Sequence, residues 1–287
     1  MTTRGRRGRR TPRLVVALVL LAAAPAAADC VFVNTNSGAN SVAAFAVAPD
    51  GTLLPVAGSP YPTGGLGGFT AAIGSLGLAV GGDFLYATNP GSGGLAGFRV
   101  LAGCRLLPLP GSPFPAGVVP VGVAADPAAG RLYVTDFAAE TVAVYTIASD
   151  GTPTPIPGSP FAAPSTPLDL AFSRDGRLYL GQSTVSEVGG YEVLPDGAIS
   201  PLATSPYLAA GFLQGLDLTP DGAYLYVAGR GLAGVVSGFE VLPSGALFPL
   251  AGSPFPADDP LDVLADPLGD LLYVSNNLGG TIAVFAI

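Results

Sequence analysis

Three aspartates in closely similar apolar settings are the residues of this chain best suited to chemistry: Leu168-Asp169-Leu170, Leu216-Asp217-Leu218 and Leu261-Asp262-Val263. In an extended strand, alternate side chains point to opposite faces, so a carboxylate between two buried apolar residues is directed away from the core. Three such carboxylates at one level suit a divalent cation such as calcium, or the hydroxyls of a sugar. The plainer role for Asp169, Asp217 and Asp262 is to solvate a water-filled channel. The chain contains no histidine, so a base that activates water must be a carboxylate, and a developing oxyanion must find its donor elsewhere. Asp217 as base and Arg230 as electrostatic stabiliser are the best pair. Asn89 and Asn276, with Asn34, Asn36 and Asn277, stand in apparent loops where they would orient a polar ligand, although Asn and Asp in loops commonly serve as turn formers. No cofactor is expected apart from that candidate cation, with Asp169, Asp217 and Asp262 as its ligands.

The elements that must position these residues follow from a repeat. An aromatic within an apolar run recurs at Phe32, Tyr86, Tyr133, Tyr179, Tyr226 and Tyr273, and a second set in the same phase at Phe45, Phe98, Tyr145, Tyr191, Phe239 and Phe285. A Ser-Pro-aromatic triplet recurs at Ser59, Ser112, Ser159, Ser205 and Ser253. The period is roughly 47 residues, and each unit divides into four short strands, A to D, separated by turn residues; such a unit is a propeller blade. In the third unit the strands are expected near 121–125, 131–136, 141–147 and 153–161. Asp-Gly pairs mark the turns, as at Asp150-Gly151 and Asp196-Gly197, where glycine takes positive φ without steric cost. Prolines gather in D, where a missing N–H costs least at a sheet edge, placing D at the rim and A at the axis. The chain therefore reads as an all-β propeller of about six four-stranded blades, with seven as the alternative. Its first and last blades are incomplete, since the first unit opens on strand B unless the N-terminal segment supplies its A strand, and the last ends on strand C.

The paired B and C segments, such as Arg131-Leu132-Tyr133-Val134-Thr135-Asp136 with Thr141-Val142-Ala143-Val144-Tyr145, resemble the YVTN repeat. The hairpin from Asp150 to Phe161 is similar to that of the seven-bladed lactonase-type propellers, which include 6-phosphogluconolactonases. The resemblance covers nearly all of residues 30–287 and implies the fold more strongly than the activity, because its motifs specify the blade. The chain departs from it in being about one blade short and in lacking histidine.

In such a fold the starts of the A strands, the B–C loops and the D–A loops share the face around the channel mouth, where function is sought. That face carries Asp136, Glu140, Glu187, Asp258 and Asp259 and a single arginine, Arg230. An acidic mouth disfavours a phosphorylated or carboxylated substrate, which needs several cations.

Six arginines in residues 1–13 precede an apolar run and Ala26-Ala27-Ala28. These features predict a secretory signal over residues 1–28, a single propeller domain over 29–287, and a secreted or periplasmic location. Arg9-Arg10 lacks the apolar residues that follow a twin-arginine motif, and Asp29 before Cys30 does not suit a lipid anchor. Six of the 12 basic residues lie in that segment, so its removal moves the net charge from −8 to −14. Such a field repels phosphates and makes nucleic acid and anionic membranes improbable partners. No apolar run reaches transmembrane length. The two cysteines, Cys30 and Cys104, fall on the same face, and an oxidising exterior favours a bridge between them over two free thiols. Composition favours a monomeric, non-catalytic module binding a sugar, small molecule, cation or protein at the acidic mouth; a lactone hydrolase is the alternative.

Overall fold

The structure, a computed structural model, describes residues 18–21, 30–50, 52–68, 78–231, 234–266, 268–277 and 279–287. Among these, every sheet pairing is antiparallel, and the strands form six sheets in chain order that make the blades of a propeller. Blade three shows the pattern. Pro120–Asp126 lies innermost, followed by Arg131–Asp136 and Thr141–Ile147. The outer strand is split into Pro153–Pro155 and Phe161–Ala162, and both pieces pair with Thr141–Ile147. The expected single D strand is thus two short ones. Between them Ser159 Oγ accepts from Val144 N at 2.9 Å and Ile156 N donates to Val144 O at 3.0 Å. This stitching replaces ladder bonds that the prolines cannot donate.

The innermost strands of the later blades are Leu78–Gly81, Pro167–Ser173, Phe212–Leu218 and Pro260–Ala265. Blade one takes its innermost strand from Leu18–Leu21, which pairs with Cys30–Asn34 in the register Leu18 opposite Val33 and Leu21 opposite Cys30. Leu18–Leu21, part of the apolar run expected to be removed with a signal segment, therefore occupies the A position of the first blade. The proposed cleavage site at 26–28 lies outside the described residues. Blade six consists of Pro260–Ala265, Leu271–Asn276 and Thr281–Ala286, and among the described residues it has no outer strand.

The core lies between blades. Tyr133, Val142 and Val144 on one face of blade three pack with Leu170, Leu178, Leu180 and Tyr191 of blade four. Leu132, Val134, Ala143 and Tyr145 on its other face pack with Tyr86, Leu95 and Leu109 of blade two. Alternation along the B and C strands thus serves two interfaces at once. Each fully buried Leu, Val or Tyr in these layers contributes roughly 1.5–3 kcal/mol relative to exposure. Some B-strand tyrosines also reach across: Tyr86 donates to Gly151 O at 2.6 Å and Tyr179 to Gly245 O at 2.9 Å, each anchoring the hairpin of the following blade.

Cys30 and Cys104 form a disulfide with a Cα–Cα distance of 5.5 Å, joining blades one and two as expected. Among the described residues, each innermost strand from blade two onward lies against that of the next blade, and no comparable contact joins blade six to blade one.

Candidate functional site

The aspartates approach the axis from three consecutive blades, but not at one level. Asp217 lies opposite Tyr226, whereas the residues opposite the corresponding Tyr179 and Tyr273 are Ala171 and Leu264, two positions beyond Asp169 and Asp262. The true counterparts of Asp169 and Asp262 are Gly122 and Gly215. Repeat matching by the Leu-Asp-Leu tripeptide misplaced Asp217 by one pleat, because in blade five the tripeptide sits two residues nearer the A–B turn than in blades four and six. In blade two the residue at the matching place in the sequence, Gly77, lies outside the described residues.

The carboxylates reach the inner edge of the neighbouring blade. Asp169 Oδ2 accepts from Leu216 N at 3.2 Å, and Asp217 Oδ2 accepts from Ala265 N at 3.0 Å. The innermost strand of each blade has an unpaired edge, and these bonds satisfy N–H groups that would otherwise be orphaned at the channel. Elsewhere hydroxyls bridge blades at the same depth: Thr88 Oγ1 donates to Val121 O at 2.7 Å and Thr135 Oγ1 to Leu168 O at 2.6 Å. Asp217 Oδ1 also accepts from Leu218 N, and Asp262 Oδ1 from Val263 N. Gly215 is required here, since a Cβ at that position would overlap the Asp262 carboxylate.

All three aspartates are half-buried. Burial pushes Asp217 up to about 7, against the two backbone N–H bonds, with the Asp169 charge adding to the rise. Asp262 is also pushed well above the carboxylate range, first by burial and then by the charges of Asp169 and Asp217. The cluster therefore holds a carboxyl that titrates near neutral pH beside another that burial and two neighbouring charges also push upward. Among the described residues no three His, Cys, Asp or Glu side chains gather in a way that would hold a metal ion.

Arg230 is not brought to Asp217. It stands opposite Phe212 at the far end of the same strand pair, while Asp217 stands opposite Tyr226, a separation of about 13 Å along the strand at roughly 3.3 Å per residue. Its guanidinium forms a bidentate pair with Asp259, Nε to Oδ1 at 2.9 Å and a terminal nitrogen to Oδ2 at 3.0 Å. Asn277 Nδ2 donates to the same Oδ2 at 2.8 Å. The Arg230 hydrogen bonds hold Asp259 below the usual carboxylate range. The one arginine expected at the mouth is thus committed to clamping blade five to blade six.

Asn89 is fully buried, and its Oδ1 accepts from Asn40 Nδ2 at 2.9 Å and Thr63 Oγ1 at 2.7 Å. Asn276 is also buried, and its Nδ2 lies 3.4 Å from Thr281 Oγ1. These positions join Asn34, Asp136 and Gln182 as a series of buried polar residues closing the B strands. Asp136 Oδ1 accepts from Val119, Ala138 and Ala139 N–H groups at 3.0–3.1 Å, a purely local role. Asn40, Thr63 and Gly215 were not singled out from the sequence. Asn40 and Thr63 lie outside the repeat's marked positions, and the need for Gly215 depends on a contact from another blade.

Comparison with known proteins bears on the same residues. The chain is similar in structure to a candidate 6-phosphogluconolactonase of Bacteroides uniformis, with a TM-score of 0.74 and 20% identity over 90% of this chain and 77% of that one. The periplasmic gluconolactonase of Pseudomonas aeruginosa gives 0.68 and 21%, over 92% and 79%. Virginiamycin B lyase of Staphylococcus aureus, at 0.58 and 14% over 96% and 87%, shares the fold with a different activity. No curated protein matches the sequence. The family model described as "Lactonase, 7-bladed beta-propeller" matches residues 120–287, which carry all three aspartates and Arg230. Since that match spans more than half of the chain, the protein belongs to the lactonase family of β-propellers.

Proposed function

We propose that this protein is an exported lactone hydrolase whose chemistry is carried by Asp217 and Asp262. The supporting observation is that Asp217 and Asp262 stand on the inner strands of adjacent blades within the matched region and are both pushed up by burial, Asp217 to about 7. In its ionised form Asp217 takes a proton from water as the water oxygen attacks the lactone carbonyl. Asp262, raised by burial and by the charges of Asp169 and Asp217, donates a hydrogen bond in its protonated form to the carbonyl oxygen as that oxygen becomes an oxyanion. Collapse of the tetrahedral adduct breaks the ring C–O bond. The leaving alkoxide takes up the proton held by Asp217, giving the open-chain hydroxy acid. No cofactor is needed for these steps.

Family membership favours this reading over the binding module that composition alone suggested. The substrate class follows from charge. Arg230 is neutralised by Asp259, and with no other arginine assigned to the mouth, a small neutral lactone is favoured over a phosphorylated one. The arginine-rich N-terminal segment, the disulfide and the fold shared with a periplasmic gluconolactonase support export.

The test is titrimetric turnover of a neutral aldonolactone and of its 6-phosphate by the purified chain between pH 5 and 9. Expected are hydrolysis of the neutral lactone with a rate rising through about pH 7, and a loss of about 10²-fold or more in kcat for Asp217→Asn. Absence of turnover, or an unchanged pH profile in Asp217→Asn, would overturn the proposal.

A further inference from the structure

Several side chains suited to reading the hydroxyls of a sugar are turned inward at the channel mouth, while large apolar ones stand exposed beside them. Asn89 is bonded to Asn40 and Thr63, Asp136 to backbone N–H groups of its own loop, and Gln182 donates to Pro164 O at 3.1 Å. Arg230 and Asn277 both engage Asp259. By contrast, the segment that carries the chain from blade four to blade five leaves Leu208 76% and Phe212 63% exposed, and Val185 in the B–C loop of blade four is 42% exposed. These three form one patch. Leu208 lies opposite Glu187 and Ala209 N donates to Ser186 O at 2.9 Å, a register that brings Val185 alongside the segment between Leu208 and Phe212.

The patch leads to the carboxylates. Leu213, Leu216 and Leu218 all pack in the core between blades four and five, with a register shift between Leu213 and Leu216, so Phe212 and Asp217 share the opposite face of their strand. The Asp262 carboxylate lies against Gly215, between the two. Phe212 therefore stands at the mouth end of a line that passes Asp262 and reaches Asp217. Its length along the strand is about 13 Å, the reach of an extended chain of about ten carbons.

We infer that the substrate is a lactone carrying an unbranched alkyl chain, with the ring between Asp262 and Asp217 and the chain laid along Phe212, Val185 and Leu208. This rests on the lactone-hydrolase reading and narrows its neutral substrates to apolar ones. An alkyl chain suits the patch because it is continuous with the ring, and because three side chains fall far short of the roughly 800 Å2 per partner that a stable protein interface buries. Glu140 and Asp258 are exposed on the same face and Glu187 is half-buried there, which disfavours a chain ending in a carboxylate.

The test is titrimetric hydrolysis, by the full chain, of a homologous series from γ-butyrolactone to γ-decalactone, beside glucono-δ-lactone. kcat/KM is expected to rise about two- to fourfold per added methylene. Phe212→Ser and Leu208→Ser change exposed positions and should keep the fold. Each is expected to lower the ratio of kcat/KM for γ-decalactone to that for γ-butyrolactone at least tenfold. Leu54→Ser replaces an apolar residue that is also exposed, on the outer strand of blade one, and is expected to keep that ratio, which separates loss of the patch from a general effect. A constant kcat/KM along the series, or a ratio as high in Phe212→Ser and Leu208→Ser as in Leu54→Ser, overturns the inference even where glucono-δ-lactone is hydrolysed and the hydrolase reading stands. No turnover of any lactone overturns both.

Discussion

Replacing Asp217 by Asn should make the protein more stable at alkaline pH and leave it nearly unchanged at acid pH. In the fold the carboxyl titrates near 7 instead of 3.8, so the folded chain favours the neutral form while the unfolded chain ionises. The unfolded state therefore binds fewer protons between about pH 4 and 7, and stability falls as pH rises through that window. At about 1.4 kcal/mol per pH unit the full cost at pH 8 is about 4 kcal/mol. Water reaches the half-buried side chain from the channel, which lowers the expectation to about 2–4 kcal/mol. Asn keeps an oxygen for the Ala265 N–H and carries no charge. It also removes a charge that raises Asp262, an effect of the same sign. Urea unfolding of both proteins at pH 4, 6 and 8 reads the difference directly. A stability gap that grows by about 2–4 kcal/mol in favour of the variant between pH 4 and 8 is expected; a gap independent of pH, or one of opposite sign, would refute the assignment of a buried, raised carboxyl.

Gly215→Ala should displace the Asp262 carboxylate and destabilise the fold by about 1–3 kcal/mol, with lactone turnover lost in proportion to the shift of its pH profile. Arg230→Ala should cost about 1–3 kcal/mol in urea unfolding, because it leaves Asp259 partly buried with only Asn277, and the Asp259 pKa, read by NMR, should rise. Paired Cys30→Ser and Cys104→Ser replacement should cost about 4 kcal/mol by the loop-entropy relation, and reduction of the wild type should cost the same. Deletion of residues 1–28 removes the innermost strand of blade one, and hydrogen exchange at Val31 and Val33 should quicken relative to the full chain.

The blade was legible in the sequence because its determinants are local. Aromatics in phase, Asp-Gly turns and prolines at the rim each follow from the conformational preferences of a few adjacent residues, and the B and C strands of blade three fall where those marks put them. The disulfide was legible for the same reason, once both cysteines were assigned to one face. The site was less so. The level of Asp217 depends on its distance from the A–B turn, which the tripeptide does not mark, and the engagement of Arg230 with Asp259 depends on a loop from the next blade. Asn89 and Asn276 read as loop residues, but they close B strands and face inward. Their burial is decided by packing between blades, which periodicity within one blade does not encode. The first inner strand, Leu18–Leu21, comes from the N-terminal segment, the source that the sequence left open for it, where an apolar run flanked by arginines also reads as a targeting segment.

The disulfide between blades one and two gives the ring a unit larger than a blade. In a repeat array, stability is close to a sum of nearest-neighbour terms, so a covalent tie between two neighbours makes them open as one unit. Blades one and two carry that tie. Limited proteolysis should therefore leave them joined as one fragment, and reduction should separate the pieces wherever a cut falls between Cys30 and Cys104.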